Sequence, residues 1–301
     1  MDEVKAKRRE ELYAMLGELP GRGRAVGGKL VGEEELGWGI VERWLLDLNG
    51  VEGVPAIFFR PRGEGRFPAV VYCHAHGGRY HMGKEEVLAG TPYMAGPWGE
   101  ELVREGYAVL AIDHWAFGER SHHSESDTFK LMLWEGRVMW GMMVYDTLKA
   151  IDWLGTRSDV DMSRIATVGM SMGSTMAFWA AALDERVKVC VDICCLTDFQ
   201  ALIEAEHLKG HGIYYFVPGL LKKFTCGEIN GLISPRAHLG LAGELDALTP
   251  VAGLDRINAE VAEVYEEAGV GERWKLSVYP VAHQETAEMR VEGMGWLKRW
   301  L

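Results

Sequence analysis

Ile165-Ala-Thr-Val-Gly169-Met170-Ser171-Met172-Gly173-Ser-Thr-Met-Ala177-Phe-Trp-Ala-Ala-Ala-Leu183 is the stretch that decides the fold. A short continuous apolar run meets Gly-x-Ser-x-Gly, and an alanine-rich helical segment follows. A buried strand that turns sharply into a helix holds the serine in a strained backbone and lifts its hydroxyl above the sheet edge. Glycines fit on either side because a Cβ there would collide with the strand or the helix. The helix N-terminus beneath the serine favours developing negative charge. With 37 glycines in the chain the five-residue pattern could arise by chance; the strand before it and the helix after it argue against chance.

Working outward, apolar runs alternate with helical segments. The runs are Ala69–Cys73, Tyr107–Ile112, Ile165–Met170, Val187–Cys194, His238–Ala242 and Trp274–Tyr279. Helices are expected near Trp98–Glu105, Leu131–Gly155, Ser174–Leu183, Val251–Ala268 and Glu285–Trp300. Continuous apolar strands between helices predict an α/β fold, with a mostly parallel sheet covered on both faces. Ile40–Leu48 and Pro55–Arg60, joined through Asn49-Gly50, predict an antiparallel hairpin at one edge. Residues 2–16 read as an amphipathic helix whose basic run, Lys5 to Arg9, faces solvent. Gly17 to Gly37 reads as a connector without periodicity. The expected organisation is therefore an N-terminal helix and connector (1–37) packed on one domain (38–301). Two long connections, 113–130 and 198–235, leave carboxyl ends of strands, where ligands sit in open α/β sheets. The second reads as a lid inserted after the sixth predicted strand.

A serine hydroxyl needs a base in hydrogen-bond reach, and in this architecture the order is Ser, then acid, then His. Two histidines follow the lid, His238 and His283. His238 lies inside a predicted strand and reads as packed. His283 lies in a loop after the last strand and is the expected base. Asp246, just past the 238–242 strand, is the expected acid, with Glu244 as the near competitor and Asp192 and Asp198 as distant ones. The oxyanion donors expected are the backbone N–H of Met172 and one from the loop His74-Ala75-His76-Gly77-Gly78, with His76 first and Gly77 next. Trp115 and Phe117 in one long loop, and Tyr214, Tyr215 and Phe216 in the other, are the candidate pocket walls. Met132, Trp134, Met139, Trp140 and Met143 read as core on a long helix.

Rival patterns are weaker. His74-x-His76 lacks further ligands at metal spacing, and His207 and His211 lack the glutamate of a zinc-peptidase helix. Gly78 to Lys84 matches a phosphate loop until Glu85, whose charge would repel phosphate where Ser or Thr should stand. No metal and no cofactor is expected. A net charge of −12 with no basic face argues against nucleic acid. No apolar stretch reaches membrane-spanning length, and no secretory pattern opens the chain. Five cysteines without CxxC suggest reduced, buried thiols and a soluble cytoplasmic protein. The partner expected is a small ester, and a homo-oligomer is compatible with the sequence.

Gly-Met-Ser171-Met-Gly, Gly243-Glu-Leu-Asp246 and the loop histidine His283 resemble the α/β-hydrolase superfamily over nearly everything after residue 38. His74-Ala-His76-Gly-Gly, Asp113-His-Trp-Ala-Phe-Gly118-Glu-Arg120 and Ser234-Pro-Arg236 resemble its dienelactone hydrolase and acetyl xylan esterase branch. The resemblance implies a serine esterase of carboxylic esters, with short acyl groups, acetyl especially, and with the His76 N–H at the oxyanion position. Dienelactone hydrolases carry cysteine where this chain has Ser171, and Ala75 replaces a frequent glycine. A peptidase or amidase on the same residues is the alternative, and a silent hydrolase-fold binding protein is a third reading.

Overall fold

The computed structural model describes residues 2–301, apart from the Asp2 side chain. A helix α1 (Asp2–Ala14) precedes strands β1 (Gly27–Leu36), β2 (Gly39–Asp47), β3 (Val54–Arg60) and β4 (Phe67–Cys73). Then come α2 (Glu86–Ala89), α3 (Trp98–Arg104), β5 (Ala108–Ile112), α4 (Glu125–Trp134), α5 (Met139–Leu154), β6 (Val160–Met170) and α6 (Met172–Leu183). The chain closes with β7 (Val187–Ile193), α7 (Phe199–Glu204), α8 (Cys226–Gly231), β8 (Ala237–Gly243), α9 (Val251–Glu267), β9 (Trp274–Tyr279) and α10 (Ala287–Trp300).

The strands form one sheet in the order β1-β2-β3-β5-β4-β6-β7-β8-β9. From β5 through β4 to β9 every pair is parallel, while β1/β2, β2/β3 and β3/β5 are antiparallel. Apolar side chains of β4, β5, β6, β7 and β8 are buried on both faces, as the continuous runs require. One face packs on α1, α5, α6, α8 and α9, and the other on α2, α3 and α10 through Trp98, Leu102, Met289 and Leu297. The sheet order reverses at β4, so the loops after β4 and β6 leave neighbouring strand ends at a topological switch point.

Three expectations are corrected. The 17–37 connector contains β1, which pairs with β2 from Gly27↔Asp47 to Leu36↔Gly39. Its side chains are mostly exposed, so the edge strand shows no apolar alternation. This extra strand places the cap insertion after β7 rather than after a sixth strand. The single helix expected over 131–155 is two. Gly136, at φ +75°, turns the chain between α4 and α5, and Arg137 N–H closes on Met132 O at 2.8 Å. Trp134 is 90% exposed in consequence, whereas Met132, Met139, Trp140 and Met143 are core. The basic run is not a solvated face, because Arg9 is buried and donates to Ala182 O and Leu232 O at 3.0 Å each. The five cysteines are buried and unpaired.

Candidate active site

Ser171 sits between β6 and α6 with φ +56° and ψ −121°, a region that L residues rarely occupy. The turn is held by its N–H donating to Ile193 O at 2.8 Å. Its glycine neighbours have no room for a side chain. A Cβ on Gly169 would strike the Gly173 backbone, and one on Gly173 would strike Cys73 O. These contacts are why the sequence turns tightly here. The free N–H groups of the first turn of α6 lie next to the hydroxyl.

His283 lies in the loop between β9 and α10, and Asp246 follows β8. His283 Nε2 stands 2.8 Å from Ser171 Oγ, and Nδ1 stands 2.7 Å from Asp246 Oδ2. Asp246 is 3% exposed. It also accepts Leu248 N–H at 2.9 Å, which fixes the carboxylate. Burial opposes charge on His283, but the hydrogen bond and charge of Asp246 outweigh it and raise the pKa above the ordinary 6.5. The competitors stand elsewhere. Glu244 is exposed. Asp198 caps α7 through Ala201 N–H and pairs with Arg256. Asp192 is buried against His238 Nε2 at 2.6 Å and Ser174 Oγ at 3.3 Å.

The loop after β4 flanks the serine. Gly77 takes φ +48°, and a Cβ there would overlap the Tyr93 ring. Its neighbour His76 accepts Gly78 N–H at Nδ1 (3.1 Å), which leaves the proton on Nε2 to donate to Tyr214 Oη at 2.8 Å. Burial, then the charges of His74 and His283, lower the His76 pKa to about 4, so this ring is neutral at pH 7. Behind the loop the buried Glu86 carboxylate accepts Ala75 N–H at 2.8 Å and Tyr72 Oη–H at 2.9 Å. Glu86 and Tyr93 were not singled out from sequence, since only the fold brings them under residues 75–77.

A chamber of about 220 Å³ joins these parts, walled by His76, Gly77, Ser171, Met172, His283 and the cap residues Tyr214 and Tyr215. Cys195, Thr175 and His211 also line it; no local sequence signal marked them for this. Of the expected pocket aromatics, Tyr214 and Tyr215 face the chamber and three others do not. Trp115 is buried beneath the Arg120 guanidinium, 4.1 Å from its ring centroid. Phe117 is fully buried and stacks on Tyr80 at 5.1 Å. Phe216 lines a neighbouring pocket.

The rival motifs have structural work. His74 accepts His114 N–H at Nε2 and donates from Nδ1 to Ala75 O. His207 and His211 donate to Ala247 O and Leu248 O, tying the cap to the loop that bears Asp246. Lys84 is 2% exposed and pairs with Asp113 Oδ2 at 2.8 Å and Glu119 Oε1 at 2.5 Å. Among the described residues Cys190, Asp192 and His238 bring three ligand-type atoms within 4.8 Å. Burial holds that thiol protonated and raises the Asp192 pKa, and the Asp192–His238 hydrogen bond already engages two of the three. This donor set does not suit a resident cation.

The family model described as "alpha/beta hydrolase fold" matches residues 68–223, more than half of the chain. The chain belongs to the α/β-hydrolase family. Within it, the chain is 48% identical over 300 residues to "Putative hydrolase YtaP" of Bacillus subtilis (strain 168), covering 99% of this chain and all of that protein. Among solved structures, a glucuronoyl esterase from Solibacter usitatus superposes with a TM-score of 0.74 at 15% identity, covering 97% of this chain and 92% of that one. Acetyl xylan esterase 1 from Thermoanaerobacterium sp. JW/SL YS485 superposes with a TM-score of 0.65 at 15% identity, covering 99% and 92%. The α/β-hydrolase neighbours share the fold with this chain, and no described helix is long and apolar enough to cross a membrane.

Proposed function

We propose that this α/β hydrolase is a carboxylesterase that works through an acyl-enzyme on Ser171. The observation that carries the reading is the continuous hydrogen-bonded line from Asp246 through His283 to Ser171 Oγ. His283 takes the Ser171 proton at Nε2 as Oγ bonds to the ester carbonyl carbon. Asp246 holds the imidazolium that forms and fixes its tautomer. The carbonyl oxygen becomes an oxyanion, received by the Met172 N–H at the start of α6 and by the His76 N–H, with Gly77 next to it. The alcohol then leaves with the proton from His283. Water attacks the acyl-enzyme with His283 as base, and Ser171 is restored.

The names of the structural neighbours, glucuronoyl and acetyl xylan esterases, support ester rather than amide cleavage, and the small chamber supports a short acyl group such as acetyl at Ser171. Residues 198–235 serve as a cap over that chamber. The unpaired cysteines support a reducing, cytoplasmic setting. The test is labelling by a fluorophosphonate together with turnover of an aryl acetate and its matched anilide. Labelling at Ser171 and loss of acetate turnover in Ser171→Ala are expected. An unlabelled wild type, or a Ser171→Ala variant with full turnover, would sink the proposal, and an anilide cleaved as fast as the acetate would replace the ester by an amide.

A further inference from the structure

Beside the Ser171 chamber the cap encloses a second pocket of about 370 Å³, formed by α7 and residues 208–222. His211 and Tyr215 line both spaces, with their rings stacked at 5.0 Å. The rest of the wall is chiefly hydrocarbon, including Leu202, Ile203, Leu208, Phe216 and Leu221. Ile203 is 44% exposed, Leu208 40%, Phe216 40% and Leu221 46%. Large apolar side chains exposed together around a concavity mark a binding site rather than ordinary surface scatter.

The charge of the wall narrows the occupant. Among the described residues Lys222 is its one charged side chain, and no carboxylate lines it, although the chain carries a net charge of −12. A cationic group would find no carboxylate there and would meet the Lys222 charge. A sugar would bring many hydroxyls to a wall whose polar side chains are His211, Tyr215 and Lys222, and each hydroxyl buried without a partner is costly. A hydrocarbon chain asks for no partners.

We propose that this cap pocket receives the longer arm of the ester, an apolar group that is neutral or anionic at its far end, while the carbonyl sits at Ser171. The proposal rests on the reading of Ser171 as an ester-cleaving nucleophile. It separates this chain from carbohydrate esters as substrates. The arm passes His211 and Tyr215, and the alcohol side supplies it, since the Ser171 chamber takes the short acyl group.

The experiment compares kcat/KM in two series on the same enzyme preparation. One series lengthens the acyl group of p-nitrophenyl esters from acetate to octanoate. The other lengthens the alcohol of acetate esters from ethyl to octyl and includes an acetylated xylo-oligosaccharide. In the alcohol series kcat/KM should rise about three- to fourfold per methylene until the pocket fills, while the acyl series should not rise. Ile203→Glu and Leu221→Glu, both at exposed positions, should reduce the long-to-short ratio tenfold or more. A flat alcohol series, a rise in the acyl series alone, a preference for the sugar acetate over octyl acetate, or equal losses on short and long esters in both variants would overturn the inference. An enzyme that turns over no ester and takes no fluorophosphonate at Ser171 removes the ester reading itself, which is a different result from a flat profile in a labelled, active enzyme.

Discussion

Asp246 Oδ2 and His283 Nδ1 stand 2.7 Å apart, although one follows β8 and the other β9. They meet because the two strands are parallel neighbours, paired from His238↔Trp274 to Gly243↔Tyr279. Two further bonds lock the loops together, Glu244 N–H to Tyr279 O at 2.7 Å and Leu245 N–H to Val281 O at 3.0 Å.

The first prediction concerns which acid orients the histidine. Asp246→Asn keeps the size of the group but can present an amide N–H to Nδ1 and stabilise the wrong tautomer. Turnover of an aryl acetate should fall by about 10⁴-fold, with the fold retained by circular dichroism. Glu244→Gln should stay near wild type, because Glu244 is exposed. The reverse pattern would move the role away from Asp246.

A pH dependence follows from the same pair. His283 must be neutral to take the serine proton, so kcat/KM should rise with pH through its pKa. Burial alone would lower that pKa, but Asp246 outweighs burial, so the midpoint should lie above the ordinary 6.5. Burial keeps the neighbouring Cys195 thiol protonated and the His211 imidazole neutral in this range, so the balance lies between burial and Asp246. Removing the Asp246 charge leaves burial dominant and should shift the limb to lower pH. A profile of the residual Asp246→Asn activity between pH 5 and 9 checks this, and an unmoved limb would assign it to another group.

Much of this arrangement was legible in the sequence because its parts are local. Ser171 needs glycines within two residues, and His283 needs a loop after a strand. Tyr214 and Tyr215 were legible only as aromatics in a long connection. That Phe117 would be buried on Tyr80 while Tyr214 faces the chamber depends on how the cap packs against residues 80 and 117, which no local pattern encodes. β1 escaped because an edge strand wet on both faces carries no apolar period. Glu86 escaped because a buried carboxylate is defined by its partners, which lie in β4, in the loop after it and at Tyr93.

Glu86 supports a third prediction. Burial, opposed by the Ala75 N–H and the Tyr72 and Tyr93 hydroxyls, raises its pKa from 4.5 to about 7. A nearby Glu285 charge adds to the rise, and Glu285 is itself paired with Arg290. The folded state therefore holds the proton more tightly than the unfolded chain. That contribution is complete below pH 4.5 and is lost as pH rises to about 7. The loss is on the order of 3 kcal/mol by linkage. Glu86→Gln cannot ionise and keeps a carbonyl for Ala75 N–H. Its melting temperature should fall less than that of wild type between pH 5 and pH 8. An equal fall in both proteins would mean that Glu86 does not carry this dependence.

The fourth prediction separates an ion pair from a phosphate site. Gly83-Lys84 belongs to a stretch resembling a phosphate loop, yet Lys84 Nζ is spent on Asp113 and Glu119. The Asp113 carboxylate is fully buried and also accepts Lys84 N–H at 2.7 Å and Glu119 N–H at 3.0 Å. Lys84→Met should leave that charge without its cation and cost about 3–5 kcal/mol of stability. For a domain of this size that is a fall of about 5–8 °C in Tm. Magnesium–ATP should leave the Tm of wild type unchanged, since Lys84 is held by Asp113 and Glu119 and the Glu85 carboxylate beside it repels phosphate. A nucleotide-dependent rise in Tm that disappears in Lys84→Met would instead show that the lysine leaves Asp113 to bind phosphate.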